Sequence, residues 1–198
     1  MNKLVFFLGP AGAGKTTLAK TIASRRHAAV LDMDVLLRPA AEAIMLQQGL
    51  DPADRDSAEY KRLCRDLGYR ITMDAALDQL GLLTDVFVIG PFTKEAAEPD
   101  WIVRELSRAG LTLQEADVKA VVVTLGSERL YRERIEGRGS ALDVWKLKHW
   151  EEFRHSLNGR SVSWPLAEGS IGYFDNSNFG EANTADRIEQ FIYGPSYS

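Results

Sequence analysis

Residues 4–17 read Leu4-Val5-Phe6-Phe7-Leu8-Gly9-Pro10-Ala11-Gly12-Ala13-Gly14-Lys15-Thr16-Thr17. The opening run is apolar without alternation and is closed by Gly-Pro, which predicts a strand buried on both faces of a parallel sheet. From Lys15 to about Arg26, Leu18, Ile22 and Ala23 recur at helical spacing. A strand, a glycine-rich turn and a helix therefore follow one another without a linker.

Gly9 to Thr16 fits the pattern G-x-x-x-x-G-K-[ST] in the context that pattern requires. Glycines let the backbone curl inward so that consecutive amides converge, and the new helix adds unpaired N–H groups and its positive dipole end. This predicts a polyphosphate cradle formed by Gly9, Ala11, Gly12, Ala13, Gly14, Lys15, Thr16 and Thr17. Lys15 would meet the β- and γ-phosphates, and the Thr16 hydroxyl would ligate Mg²⁺.

Outward from this stretch, strands and helices alternate. Ala28–Leu31 reads as a strand ending at Asp32-Met33-Asp34, and Val35–Gln48 as a helix stopped by Gly49. Ser57–Leu80 reads as a long helical region interrupted near Gly68. Asp85–Ile89 and Val118–Leu125 read as strands, with a helix over about Pro99–Ala109 between them. Helices are expected over Ser127–Glu136, Leu142–Leu157 and Thr184–Tyr193, with a short strand ending at Phe174. Such alternation predicts right-handed βαβ units, an α/β fold and ligands outside the carboxyl ends of the strands.

The 198-residue chain suits one domain. Its formal net charge of -4 disfavours extended nucleic-acid binding. The lone cysteine, Cys64, excludes an internal disulfide, and no segment approaches the roughly 20 apolar residues of a membrane span. A cytoplasmic protein with no membrane partner is expected, and the oligomeric state is left open.

The chemistry at the cradle depends on its carboxylates. The strands ending at Ile89 and Leu125 continue into Gly90-Pro91 and Gly126, so neither carries a Walker-type acid, and no Asn-Lys-x-Asp guanine signature is present. Asp32 and Asp34 remain, at the tip of the second strand. One would accept the proton of an attacking hydroxyl while the other organises Mg²⁺ or grips the acceptor, with Asp32 the expected metal ligand. Alternatively, Asp34 caps the helix from Val35. Arg38, one turn on, would orient an acceptor or pair with Asp34.

Between Ser127 and Arg138, Arg129 and Arg132 have glutamates at helical spacing, whereas Arg134 and Arg138 have no acid three or four positions away. These two arginines, beside Gly137-Arg138-Gly139, suit a lid that neutralises charge developing in phosphoryl transfer. Lys146 and Lys148 are further lid cations. Trp145, Trp150 and Phe153 are expected to pack the lid helix.

Taken together, these residues resemble the P-loop kinase superfamily: the phosphate loop, Asp-x-Asp after the second strand, the arginine-bearing segment and the final strand with its loop. Arg134-x-x-x-Arg138-Gly and Asp143-x-Trp-Lys resemble an ATP-binding kinase-like branch of it. The resemblance implies a three-layer P-loop NTPase fold with a central, mainly parallel five-stranded sheet and a helical lid at about residues 127–160. It implies ATP and Mg²⁺ as cofactors, lid roles for Arg134 and Arg138, and adenine contact at Asp175-Asn176-Ser177. The expected activity is transfer of the γ-phosphate of ATP to a hydroxyl of a small-molecule acceptor. A nucleic-acid 5′-end or sugar-nucleotide kinase, or a non-catalytic ATP-binding module, are the alternatives.

Overall fold

The computed structural model describes residues 1–82, 84–140, 143–157, 161–178 and 183–195. Its centre is a five-stranded parallel sheet in the order β2-β3-β1-β4-β5. The strands are β1 (Lys3–Leu8), β2 (Ala29–Asp32), β3 (Val86–Ile89), β4 (Asp117–Thr124) and β5 (Ile171–Asp175). β1 lies between β3 and β4, with Phe7 opposite Ile89 on one side and Leu8 opposite Val122 on the other.

The unalternating apolar run of β1 is explained by two cores. Leu4, Phe6 and Leu8 face one core and Val5 and Phe7 the other, because successive side chains of a strand point to opposite faces. The first core is closed by α3 (Ala58–Gly81) and α5 (Trp101–Arg108), with Phe92, Trp101 and Trp164 around Phe6. The second is closed by α1 (Lys15–Arg26), α6 (Glu128–Gly137), α8 (Trp150–Phe153) and α9 (Asn183–Tyr193). α2 (Met33–Gln47) lies on α3, where Leu37, Ala41, Met45 and Cys64 form a smaller cluster.

Several expected boundaries change. α3 runs unbroken through Gly68, where a Cβ would come within 2.8 Å of Leu37 Cδ2. The glycine thus serves close α2–α3 packing and does not break the helix. A short α4 (Thr93–Ala97) precedes α5. The expected Leu142–Leu157 helix is instead α7 (Val144–Lys148), α8 and a 3-10 turn at Arg154–Leu157. Its expected first residue, Leu142, lies outside the described residues.

Trp150 and Phe153 are buried in the core that also contains α1 and α9, and Trp150 Nε1 donates to Glu128 Oε1 at 2.8 Å. Tyr131 and Ile135 seat α6 in the same core. Among the described residues no helix is long and apolar enough to cross a membrane.

Candidate active site

The carboxyl ends of β1 and β2 present the glycine-rich turn and Asp32 side by side, as the shared parallel sheet requires. Gly9, Gly12 and Gly14 have φ of 137°, 86° and 94°, a region in which side chains are strained. Space also demands glycine at Gly9, where a Cβ would sit 2.2 Å from the Val123 carbonyl oxygen.

α2, α3 and α6 begin with a side chain accepting a first-turn amide, from Asp32, Ser57 and Ser127 respectively. α1 begins at Gly14 with no side-chain cap. That end carries the positive pole of the helix, which favours an anion. Lys15 Nζ donates to the Pro10 carbonyl at 2.8 Å, which holds its ammonium over the loop.

Thr16 Oγ1 donates to Asp32 Oδ2 at 3.0 Å, and Asp32 Oδ1 accepts the Asp34 amide at 3.1 Å. The helix cap is thus Asp32, not Asp34. β2 keeps extended geometry through Asp32 and α2 starts at Met33, which puts Asp32 at the half-in position where caps act. An aliphatic hydroxyl and a carboxylate this close supply the hard oxygen donors Mg²⁺ takes, with phosphates and water to complete its shell. The residues present fit that ion.

The Asp34 carboxylate has no hydrogen bond among the described residues and remains exposed to the cleft. The protein mass around the cleft pushes its pKa up, as does the Asp32 carboxylate; Lys15, Lys146 and Arg38 oppose the rise. Its open surface moderates the effect. Arg38 forms no ion pair with Asp34 among the described residues and attracts it from longer range.

Beside Asp34, burial pushes the Tyr60 hydroxyl up to about 12, with Arg55 opposing and the Asp34 and Asp56 carboxylates adding to the rise. Tyr60 is therefore a protonated wall residue at neutral pH. Asp34 of α2 and Asp56 before α3 both act on the Tyr60 hydroxyl, and Asp56 meets Lys146 of α7, so these residues border one region, the cleft side of α2.

Arg134 does not project as an unpartnered cation. Its Nη2 donates to the Asn176 carbonyl at 2.6 Å and to the Ser177 carbonyl at 3.3 Å, and its Nη1 donates to the Ala13 carbonyl at 3.5 Å. Burial lowers its pKa. Asn176 is buried, and its Nδ2 donates to the Ala13 carbonyl at 2.9 Å. The turn after β5 is thereby bonded directly to the phosphate loop. Asp175 Oδ1 accepts the Ser177 amide at 2.8 Å and the Ser177 hydroxyl, and Ser177 Oγ accepts the Gly126 amide at 2.7 Å.

Arg138 is also paired, contrary to expectation: its Nη2 lies 2.8 Å from Asp143 Oδ2. The partner is five residues on, beyond the helix end, where helical spacing no longer predicts contacts. Lys146 Nζ lies 3.2 Å from Asp143 Oδ1 and 3.2 Å from Asp56 Oδ2. The expected surface pairs Arg129–Glu133 and Arg132–Glu136 form at 2.8 and 3.0 Å.

Asp56 and Tyr60 were not legible as site residues. The loop before α3 contains Asp51, Asp54 and Asp56, and sequence does not distinguish the turn-makers among them from a carboxylate aimed at the cleft.

A parallel sheet whose central strand feeds a lysine-bearing glycine loop, with a hydroxyl–carboxylate pair beside it, defines a P-loop nucleotide-binding protein. The family described as AAA domain matches residues 4–159, and the chain belongs to it, within the P-loop kinase superfamily. The chain is 31% identical to a cytidylate kinase of Nitrobacter winogradskyi over 187 residues, covering 86% of each protein. It superposes on a provisionally assigned kinase from Chloroflexus aurantiacus j-10-fl with a TM-score of 0.67 at 18% identity, covering 96% of both chains. A sugar kinase from Janibacter sp. HTCC2649 gives 0.62 at 14% identity, covering 98% of this chain and 97% of that one. The three-layer α/β P-loop fold, ATP binding and kinase-type transferase membership follow.

Proposed function

We propose that the protein is an ATP-dependent phosphotransferase that moves the γ-phosphate of ATP to a hydroxyl of a small-molecule acceptor. The observation that carries this reading is the Asp34 carboxylate. It makes no hydrogen bond among the described residues, is exposed, and lies within electrostatic reach of Lys15 of the loop and Lys146 of α7. A hydroxyl nucleophile needs a positioned acceptor for its proton, and a carboxylate with a raised pKa suits that role near neutral pH.

The two acids of Asp32-Met33-Asp34 then divide the work. Asp32 is held by Thr16 and by the α2 amide, and with Thr16 it would hold Mg²⁺. When bound, Mg²⁺ would neutralise charge on the phosphate oxygens. Lys15 and the N-terminus of α1 would hold the triphosphate tail. Asn176 and Arg134 fix the loop through the Ala13 carbonyl, keeping its amides directed inward before substrate arrives. Asp34 takes the hydroxyl proton, and Arg38 and Tyr60 line the acceptor side. Asp175 and Asn176 would adjoin the adenine end. Within the lid, Asp143 to His149 would carry Lys146, which meets Asp56.

A second reading is transfer to a nucleoside monophosphate, favoured by the 31% identity to a cytidylate kinase. An acceptor phosphate calls for uncommitted cations. Here Arg55 is engaged by Glu42 at 3.3 Å and by the Pro52 and Asp54 carbonyls, and Arg65 is engaged by both oxygens of Glu95 at 2.8 and 3.0 Å. Asp34 and Asp56 beside Tyr60 support the hydroxyl acceptor, while Arg38 is the cation that an acceptor phosphate would use. ATP consumption with Mg²⁺ should be screened against sugars, polyols, nucleosides, metabolic acids and nucleoside monophosphates, and each product identified by mass. A phosphate ester of a hydroxyl compound is the expected product. Activity confined to nucleoside monophosphates would replace the first reading with the second.

A further inference from the structure

The loop between α2 and α3 contains three aspartates at alternate or near-alternate positions, and two are consumed in shaping it. Asp51 Oδ1 accepts the Ala53 amide at 2.8 Å, and Asp54 Oδ1 accepts the Asp56 and Ser57 amides at 2.9 and 3.0 Å. The Asp56 side chain takes no part in the turn. Its Oδ2 is the buried side-chain oxygen that, among the described residues, has no hydrogen bond. What faces it is the Lys146 ammonium, 3.2 Å away but outside hydrogen-bond geometry, and that ammonium is shared with Asp143 Oδ1 at 3.2 Å. Asp143 is itself only 4% exposed and is anchored by Arg138.

A buried carboxylate oxygen without a well-formed hydrogen bond carries an unrecovered desolvation cost. It gains free energy from any donor that meets it squarely. Asp56 borders the same cleft as Asp34 and Tyr60, since both carboxylates act on the Tyr60 hydroxyl. Lys146 borders that cleft too, since Lys146 and Lys15 act on the one Asp34 carboxylate. One carboxylate, Asp34, thus feels both the loop ammonium and the one that Asp56 holds.

We propose that Asp56 is an acceptor-binding carboxylate that holds Lys146 away from the triphosphate until a hydroxyl or ammonium donor of the acceptor takes its place. The released Lys146, still tethered to Asp143, then turns to the γ-phosphate. Acceptor occupancy and γ-phosphate engagement become coupled through one side chain, so that transfer to water is disfavoured while the acceptor wall is empty. This inference rests on the phosphotransferase reading above for its purpose, but its physical content is a competition between Asp56 and the γ-phosphate for one cation.

The test is calorimetric and uses no acceptor. Dissociation constants of the Mg²⁺ complexes of ADP and of a non-hydrolysable ATP analogue should be measured for the full chain, Asp56→Asn, Lys146→Met and the double variant. Ser57, not Asp56, caps α3, so Asp56→Asn leaves the helix start intact, and unchanged ADP affinity verifies folding. Asp56→Asn should tighten the ATP analogue by about two- to fivefold, within the range expected for release of one such ion pair, with ADP unchanged. The gain should vanish in the double variant. Equal affinities in Asp56→Asn and the parent chain, or a gain that persists without Lys146, would overturn the proposal. Failure of the parent chain to phosphorylate any acceptor would strike the phosphotransferase reading and leave these binding ratios interpretable.

Discussion

The Thr16 hydroxyl and the Asp32 carboxylate meet at 3.0 Å, joining the first turn of the phosphate-loop helix to the cap of the next helix. One carboxylate thereby serves α2 through Oδ1 and the metal-binding corner through Oδ2. Its two roles separate by substitution. Asp32→Asn retains a cap and should melt close to the parent chain, while losing Mg²⁺-dependent strengthening of ATP binding. Asp32→Ala should cost a further ~1 kcal/mol through loss of the cap. Melting curves with and without Mg²⁺-ATP check both, and an Asp32→Asn chain that binds Mg²⁺-ATP normally would remove Asp32 from the metal site.

Asp34 should behave in the opposite way. Its folded-state pKa is raised above the ordinary 3.8 by burial and by Asp32, so the folded protein binds that proton more tightly than the unfolded chain. The associated stability is present below the ordinary value and is lost as pH rises through the folded value. Asp34→Asn should therefore melt at the same or a higher temperature than the parent chain at pH 7. Turnover should fall by roughly 10²- to 10⁴-fold, with ATP affinity retained. An ATP-binding module without catalysis would keep whatever turnover it had.

The same shift sets a pH dependence. kcat/KM should fall on the acid side, with its midpoint above the ordinary carboxylate range, because the base must be ionised to accept a proton. A profile that stays flat down to the ordinary aspartate value would argue against Asp34 as the base.

Gly9→Ala places a methyl group against the Val123 carbonyl at a φ of 137°. Strain alone should cost on the order of 1–3 kcal/mol, and the overlap adds to it. ATP affinity and melting temperature should fall together. Unchanged ATP affinity would show that the loop tolerates reshaping and that its amides are not the cradle.

Asn176→Ala removes the buried donor to the Ala13 carbonyl, leaving that oxygen to Arg134 at 3.5 Å. A cost of about 1–3 kcal/mol is expected for the poorly satisfied carbonyl, together with weaker binding of both ADP and ATP. Loss of ATP binding confined to adenine nucleotides, with guanine nucleotides unaffected, would instead assign Asn176 to base recognition.

What the sequence alone determined is local. A short unalternating apolar run closed by Gly-Pro reads as a strand buried on both faces, and glycines at the curl of a loop directly before Lys15 read as serving inward-facing amides. The phosphate site and the parallel sheet follow from those two facts. Asp32 and Asp34 were visible because a strand end next to the loop leaves few places for an acid. Tertiary structure decided which of them is held and which is free, since that depends on the fold bringing Thr16 within 3.0 Å of Asp32. It also decided the partners of Arg138, Arg134 and Lys146, which come from a helix end, a turn after β5 and a loop nearly a hundred residues away in sequence. Helical spacing reports neighbours within one helix. It carries no information about carboxylates and carbonyls that folding brings from elsewhere, and at this site those contacts set the charge.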